Sequence, residues 1–275
     1  MSYNTVLIEK RGHTVCLTLN RPEVMNSISI EMMRELKRFY AEFEADDALW
    51  TLIITGAGQK ALCTGADVNV IEGTYRDGHP TGIDMWGEAM LSSYRQWDIP
   101  QEATPPYMTM TKPIICAVNG VACGAGLDLL STADIAIAAE HATFFDPHVS
   151  IGVVSAREMV RMARVLPLAV AMRMAIMGKH ERINAQRAYE LGMITEVTPK
   201  EKLMDRAWEI ADIVNKNAPL AVRGTRMAIR KGLSLPIYEA ELLAEAYRMR
   251  CAQTEDAIEG PAAFLEKRTP NWKVR

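Results

Sequence analysis

The sequence predicts an α/β fold, and three observations carry that prediction. Trp50–Thr55, Lys112–Asn119 and Asp134–Ala139 are continuous apolar runs of strand length, as in buried parallel strands. Helical stretches separate them, and an amphipathic helix at Ser29–Asp46 precedes the first. The resulting order, ββα-βα-βα with short connections, builds an α/β domain.

Taken in order, Tyr3–Lys10 and Thr14–Asn20 flank Arg11-Gly12-His13 and read as a β-hairpin. Asn20-Arg21-Pro22 ends the second strand. The helix over Ser29–Asp46 places Met32, Met33, Leu36, Phe39, Tyr40 and Phe43 on one face. Residues 68–111 break the pattern with two Pro-containing stretches, aromatics and a helix from about Ile83 to Trp97. A connection this long is a functional lid or loop, or a surface insertion without a role. From Ser155 the chain is mostly helical. Asn184 caps Ala185–Leu191, Gly192 ends that helix, and Met193–Val197 returns as a strand. Pro199–Lys216, Pro219–Lys231, Pro236–Cys251 and Thr254–Lys267 read as four successive helices.

The 275 residues, 49% of them hydrophobic, suffice for one large domain or two small ones. With 31 basic against 34 acidic side chains the net charge is −3, which excludes a chain-wide cationic surface for nucleic acid or anionic lipid. Five scattered cysteines, without a CxxC pair, argue against structural zinc and for reduced thiols in a cytosolic protein. No window is apolar for long enough to span a membrane, and the first residues carry no signal pattern.

Two glycine-rich turns follow buried strands. One is Gly56-Ala57-Gly58 leading to Cys63-Thr64-Gly65-Ala66-Asp67, and the other is Asn119-Gly120 leading to Cys123-Gly124-Ala125-Gly126. Neither matches a dinucleotide fingerprint or a P-loop, and no GxSxG elbow occurs. Small side chains let a ligand approach the backbone, and helix-start amides are unsatisfied donors. Each turn alone reads as ordinary tight packing. Facing each other, the two would supply converging donors for an oxyanion.

These turns, with Leu19-Asn20-Arg21-Pro22 and Asn26, Lys112–Gly120, Ala142-Thr143-Phe144 leading to Pro147, and Ala185–Gly192 with Val197, resemble the crotonase (enoyl-CoA hydratase/isomerase) superfamily. The resemblance runs from about Val6 to Arg268. It implies a spiral of ββα units over residues 1–200 that holds the acyl-CoA site. Residues 201–275 would form a helical region for oligomerisation and site capping. It also implies an acyl-CoA substrate, with coenzyme A arriving as part of it, no separate cofactor or metal, and a homotrimer or dimer of trimers. By position, Ala66 and Ala125 would donate their amides to the thioester oxygen. Val24, Met25, Ala66, Asp67 and Val68 would line the coenzyme A channel. Phe264 and Lys267 would reach its nucleotide end, and Glu23 stands where many relatives have lysine.

Where typical hydratases in this family carry two glutamates, this chain has Asp128 and His148. A lone Asp in an apolar run needs a partner, so Asp128 reads as catalytic or as capping or salt-bridged. His148 reads as a proton-transfer group or as a satisfied structural residue. Three functions follow: an enoyl-CoA hydratase/isomerase-type lyase, a hydrolase of a carbon–carbon or thioester bond with His148 as base, or a non-catalytic binding protein. The aromatics Tyr75, Trp86, Tyr94, Trp97 and Tyr107 are candidates for an acyl pocket. Cys123 reads as a core residue, and the stripe Arg223, Arg226, Arg230 and Lys231 as a solvated face or a contact for phosphates or RNA.

Overall fold

A computed structural model describes residues 3–67 and 109–275. The helix expected near Ile83–Trp97, the five candidate pocket aromatics and Val68 lie outside the described residues.

The opening hairpin pairs β1 (Val6–Arg11) antiparallel with β2 (Thr14–Leu19). Helix α1 (Ile30–Ala45) starts at Ser29, whose hydroxyl accepts the Met32 amide at 3.2 Å. Its buried face of Met32, Leu36, Phe39, Tyr40 and Phe43 is the face read from the sequence. Each such side chain removed from water contributes about 1.5–3 kcal/mol. Lys112 closes the helix: its Nζ, fully buried, donates to the carbonyls of Phe43 and Asp46 at 2.5 and 2.7 Å.

The three apolar runs become β3 (Thr51–Gly56), β5 (Ile114–Val118) and β7 (Ile135–Ala139), parallel in the sheet order β1-β2-β3-β5-β7-β10, with β10 at Glu196–Thr198. Both faces of this sheet are covered, which is why the runs are continuous rather than alternating. Leu52 and Ile54 of β3 join the α1 side of the core. Ile53 between them faces Ala207, Trp208 and Ala211 of α6 (Leu203–Asn215) on the other side.

Strands β4 (Ala61–Cys63), β6 (Val121–Cys123), β8 (Thr143–Phe145) and β9 (Ile183–Asn184) form a second sheet. Each long strand thus turns a corner into a short one, β3 to β4, β5 to β6 and β7 to β8, and successive turns stack as a spiral. The short strands escape sequence reading because two or three residues show no period. The return strand also begins later than Met193. The amides of Met193 and Ile194 go to the Ala188 carbonyl, closing α5 (Ala185–Glu190), and Thr195 is the first residue to bond β7.

Four further helices are α2 (Ala125–Thr132), α3 (Arg157–Met162), α4 (Leu168–Met177) and α7 (Pro219–Gly232). The last two are α8 (Ile237–Cys251), with no buried residue, and α9 (Glu255–Glu266). The basic stripe on α7 is not a solvated face. Arg226 is buried, and it and Arg230 both ion-pair with Asp134, at 2.7 and 2.8 Å. Burial pushes the thiols of Cys63, Cys116 and Cys123 up to about 12, so Cys123 is a core residue as expected. Among the described residues, no helix is long and apolar enough to cross a membrane.

Candidate active site

The two small-residue turns meet. A Cβ on Gly124 would stand 3.2 Å from the Gly65 Cα and 3.8 Å from the His148 ring carbon Cε1. Gly124 also has φ +53°, the left-handed region. One residue on, Ala125 opens α2, so its amide is one of the helix's unsatisfied donors. At Ala66 a single parallel bridge to Ile28 uses the amides of Ile28 and Asp67. The amide of Ala66 itself therefore points to the opposite side. Gly126 lets α2 sit against β4, since a Cβ there would collide with the Cys63 carbonyl oxygen.

The segment holding Val24 and Met25 lies beside the first turn, with the Thr64 hydroxyl donating to the Met25 carbonyl at 3.3 Å. Asp67 is buried and ion-paired to Arg21 at 2.7 Å, tying that turn to the loop after β2. Phe264 and Lys267 sit at the end of α9, far along the chain. Phe264 is 83% exposed and Lys267 is a left-handed cap.

Asp128 stands in the first turn of α2, wholly buried, and its partners are Arg161 at 2.5 Å and Arg157 at 3.6 Å, both from α3. The partner that a carboxylate in an apolar run requires is thus supplied by a distant element. His148 follows β8 and stays partly open to solvent. Its Nδ1 lies 2.5 Å from Oδ1 of the fully buried Asp146. With Asp146 ionised, Nδ1 carries the proton and Nε2 is left as the acceptor. The hydrogen bond to Asp146 raises the imidazole pKa above its ordinary value, against burial, with the Glu158 and Asp146 charges adding to the rise. Burial alone would raise Asp146, but the hydrogen bond and charge of His148 outweigh it and hold the carboxyl low.

Three further groups complete the cluster. Asp146, directly upstream of Pro147-His148, escaped sequence reading although its spacing could have suggested a His orienter. Arg161 reaches Asp128 only through the packing of α3 on α2. Glu158, buried on α3, has its carboxyl raised by burial first and then by the Asp128 charge. Three carboxyl groups, Asp128, Asp146 and Glu158, an imidazole and two arginines therefore cluster beside the paired turns.

The chain matches the family model for enoyl-CoA hydratase/isomerase over residues 9–275. An enoyl-CoA hydratase of Mycobacterium tuberculosis is 33% identical, with 98% of this chain and 96% of that protein covered. An (E)-benzylidenesuccinyl-CoA hydratase of Thauera aromatica is 33% identical, with 98% of each covered. The crystal structure of an enoyl-CoA hydratase/isomerase from Mycobacterium paratuberculosis is 55% identical over the full length of both chains, with a TM-score of 0.87. The spiral of paired strands, the two abutting turns and this likeness along the whole chain agree, and the chain belongs to the enoyl-CoA hydratase/isomerase family.

Proposed function

We propose that this enzyme binds an acyl-CoA thioester with its carbonyl oxygen between the amides of Ala66 and Ala125, and adds water to, or removes it from, an enoyl group. The observation that carries this reading is the contact of the two turns with the His148 ring beside them. Donors placed where charge develops stabilise an enolate without reorganising. His148 Nε2 takes a proton from water as the water oxygen bonds the β-carbon. The π electrons move to the thioester oxygen, and the enolate then takes a proton at the α-carbon from the imidazolium. Asp146 holds the ring. Asp128, locked between Arg161 and Arg157, orients rather than accepts. Double-bond isomerisation uses the same enolate and the same proton carrier.

Val24, Met25, Ala66, Asp67 and Val68 would border the coenzyme A, with Phe264 and Lys267 at its nucleotide end. Ile237, Tyr238, Leu242 and Met249 on α8 are exposed, and these apolar side chains support self-association into a trimer or dimer of trimers.

A hydrolytic second reading rests on the same Asp146–His148 pair, which can activate water toward a carbonyl carbon instead. His148→Ala assayed on a panel of enoyl-CoAs should lose about a hundredfold or more in kcat/KM. Product mass separates a hydroxyacyl-CoA from a free acid. Full activity in both His148→Ala and Asp128→Ala would remove the assignment.

A further inference from the structure

A cavity of about 600 Å³ lies between α7, the end of α3 and the starts of β5 and β7. That volume suits a small organic ligand. Among the described residues its wall carries four guanidinium groups, Arg161, Arg164, Arg226 and Arg230, against one carboxylate, Asp134. Asp134 is already shared by Arg226 and Arg230. Arg164 gives one N–H to the Leu233 carbonyl at 3.0 Å. Arg226 is 7% exposed, and its Nη2 is buried without a partner. An unsatisfied buried donor on a charged group is costly, and an anion nearby would offset that cost. The Asp134 pairs account for the placement of α7 and Arg161 meets Asp128, which leaves Arg164 and one of the two arginines at Asp134 in excess of the carboxylates.

Apolar side chains such as Val165, Val222 and Ile229 complete the wall. A bare inorganic anion would leave this surface uncovered, whereas an acid with a short hydrocarbon body covers it. Guanidinium forks match the two oxygens of a carboxylate. Arg161 belongs to both places, since it lines the cavity and holds Asp128. We propose that this cavity binds the carboxylate of a small amphipathic acid, carried on the acyl chain of the thioester or arriving as a separate ligand. The cavity's affinity for a carboxylate stands without the acyl-CoA reading, and only the substrate version rests on it.

The test titrates glutarate into the full chain by calorimetry, with sodium chloride at equal ionic strength as control. Saturable binding is expected. Arg164→Gln should weaken it about tenfold, the loss of one charge-assisted contact. Thr225→Glu, which sets a carboxylate into the exposed rim, should weaken it at least as much. Kinetics then compare glutaconyl-CoA with its uncharged isostere 5-methylhex-2-enoyl-CoA. A preference for the charged thioester that both variants lose about tenfold puts the carboxylate on the acyl chain. Glutarate binding lost in the variants with that ratio unchanged puts it on a separate ligand. Absence of saturable glutarate binding together with equal ratios in all forms overturns the proposal, as does glutarate binding that both variants retain in full. Inactivity on every thioester would defeat the acyl-CoA reading and leave the calorimetric result standing.

Discussion

Arg161 reaches across from α3 to hold the Asp128 carboxylate at 2.5 Å, and that carboxylate has no access to solvent. A buried acid in this setting depends on its partner. Removing Arg161 leaves only the more distant Arg157, at 3.6 Å, against that buried charge, a loss of up to about 3–5 kcal/mol. Arg161→Met should therefore lower unfolding stability by that amount in urea titration. Asp128→Asn, which keeps the shape and removes the charge that both arginines meet, should also destabilise. A loss under about 1 kcal/mol in both would show that the pair does not hold α2 to α3.

The Asp146–His148 pair gives stability a pH window. His148 is raised in the fold, so its contribution is complete below about pH 6.5 and is lost as pH rises through the raised value. Asp146 is lowered, so its contribution is complete above the ordinary carboxylate range and is lost as pH falls through the lowered value. The pair therefore contributes most from about pH 4 to 6.5. Asp146→Asn should lower the melting temperature inside that window, flatten the slopes on either side of it, and return the His148 imidazole, followed by NMR, toward or below its ordinary value.

Glu158 acts on the same imidazole through its charge. Glu158→Gln should lower the His148 pKa, and the acid limb of the kcat/KM profile should move down with it. An unmoved imidazole titration would disconnect Glu158 from the site.

Lys112 is held down to about 8 by burial, reinforced by the nearby Arg223 charge. Between about pH 8 and 10.4 the unfolded chain binds more protons at this lysine than the folded one, so its contribution to stability rises with pH across that interval. Lys112→Met removes this slope. It also strips the Phe43 and Asp46 carbonyls of their donor, at about 1–3 kcal/mol each. Stability against pH for both forms measures the two effects together.

Gly126→Ala would gain about 1 kcal/mol of helix propensity on an isolated helix. Here the new methyl would meet the Cys63 carbonyl oxygen, and overpacking against backbone costs about 1–3 kcal/mol or more. The variant should melt lower and lose activity, because α2 and its leading amide at Ala125 must shift. A stability equal to the parent's would mean that β4 yields at no cost.

Much of this molecule was legible in the chain itself. The apolar runs of β3, β5 and β7, the Ser29 and Asn184 caps and the amphipathic face of α1 are local signals of period, capping and composition. The two glycine turns were legible as sites of close backbone approach. The short strands were not, because two or three residues carry no period. Arg226 was misread because helical spacing names a stripe but not which neighbour covers it.

The sequence by itself determined the α/β class, the family motifs and the residue types at Asp128 and His148. Only the tertiary structure decided what those residues meet. Arg161, 33 positions beyond Asp128, pairs with its carboxylate, while Asp146 and Glu158 raise the pKa of His148. Periodicity and motif spacing report what a residue does to its own helix or strand. The free energy of a buried charge depends on groups that only the stacking of α3 against α2 and β8 brings within reach.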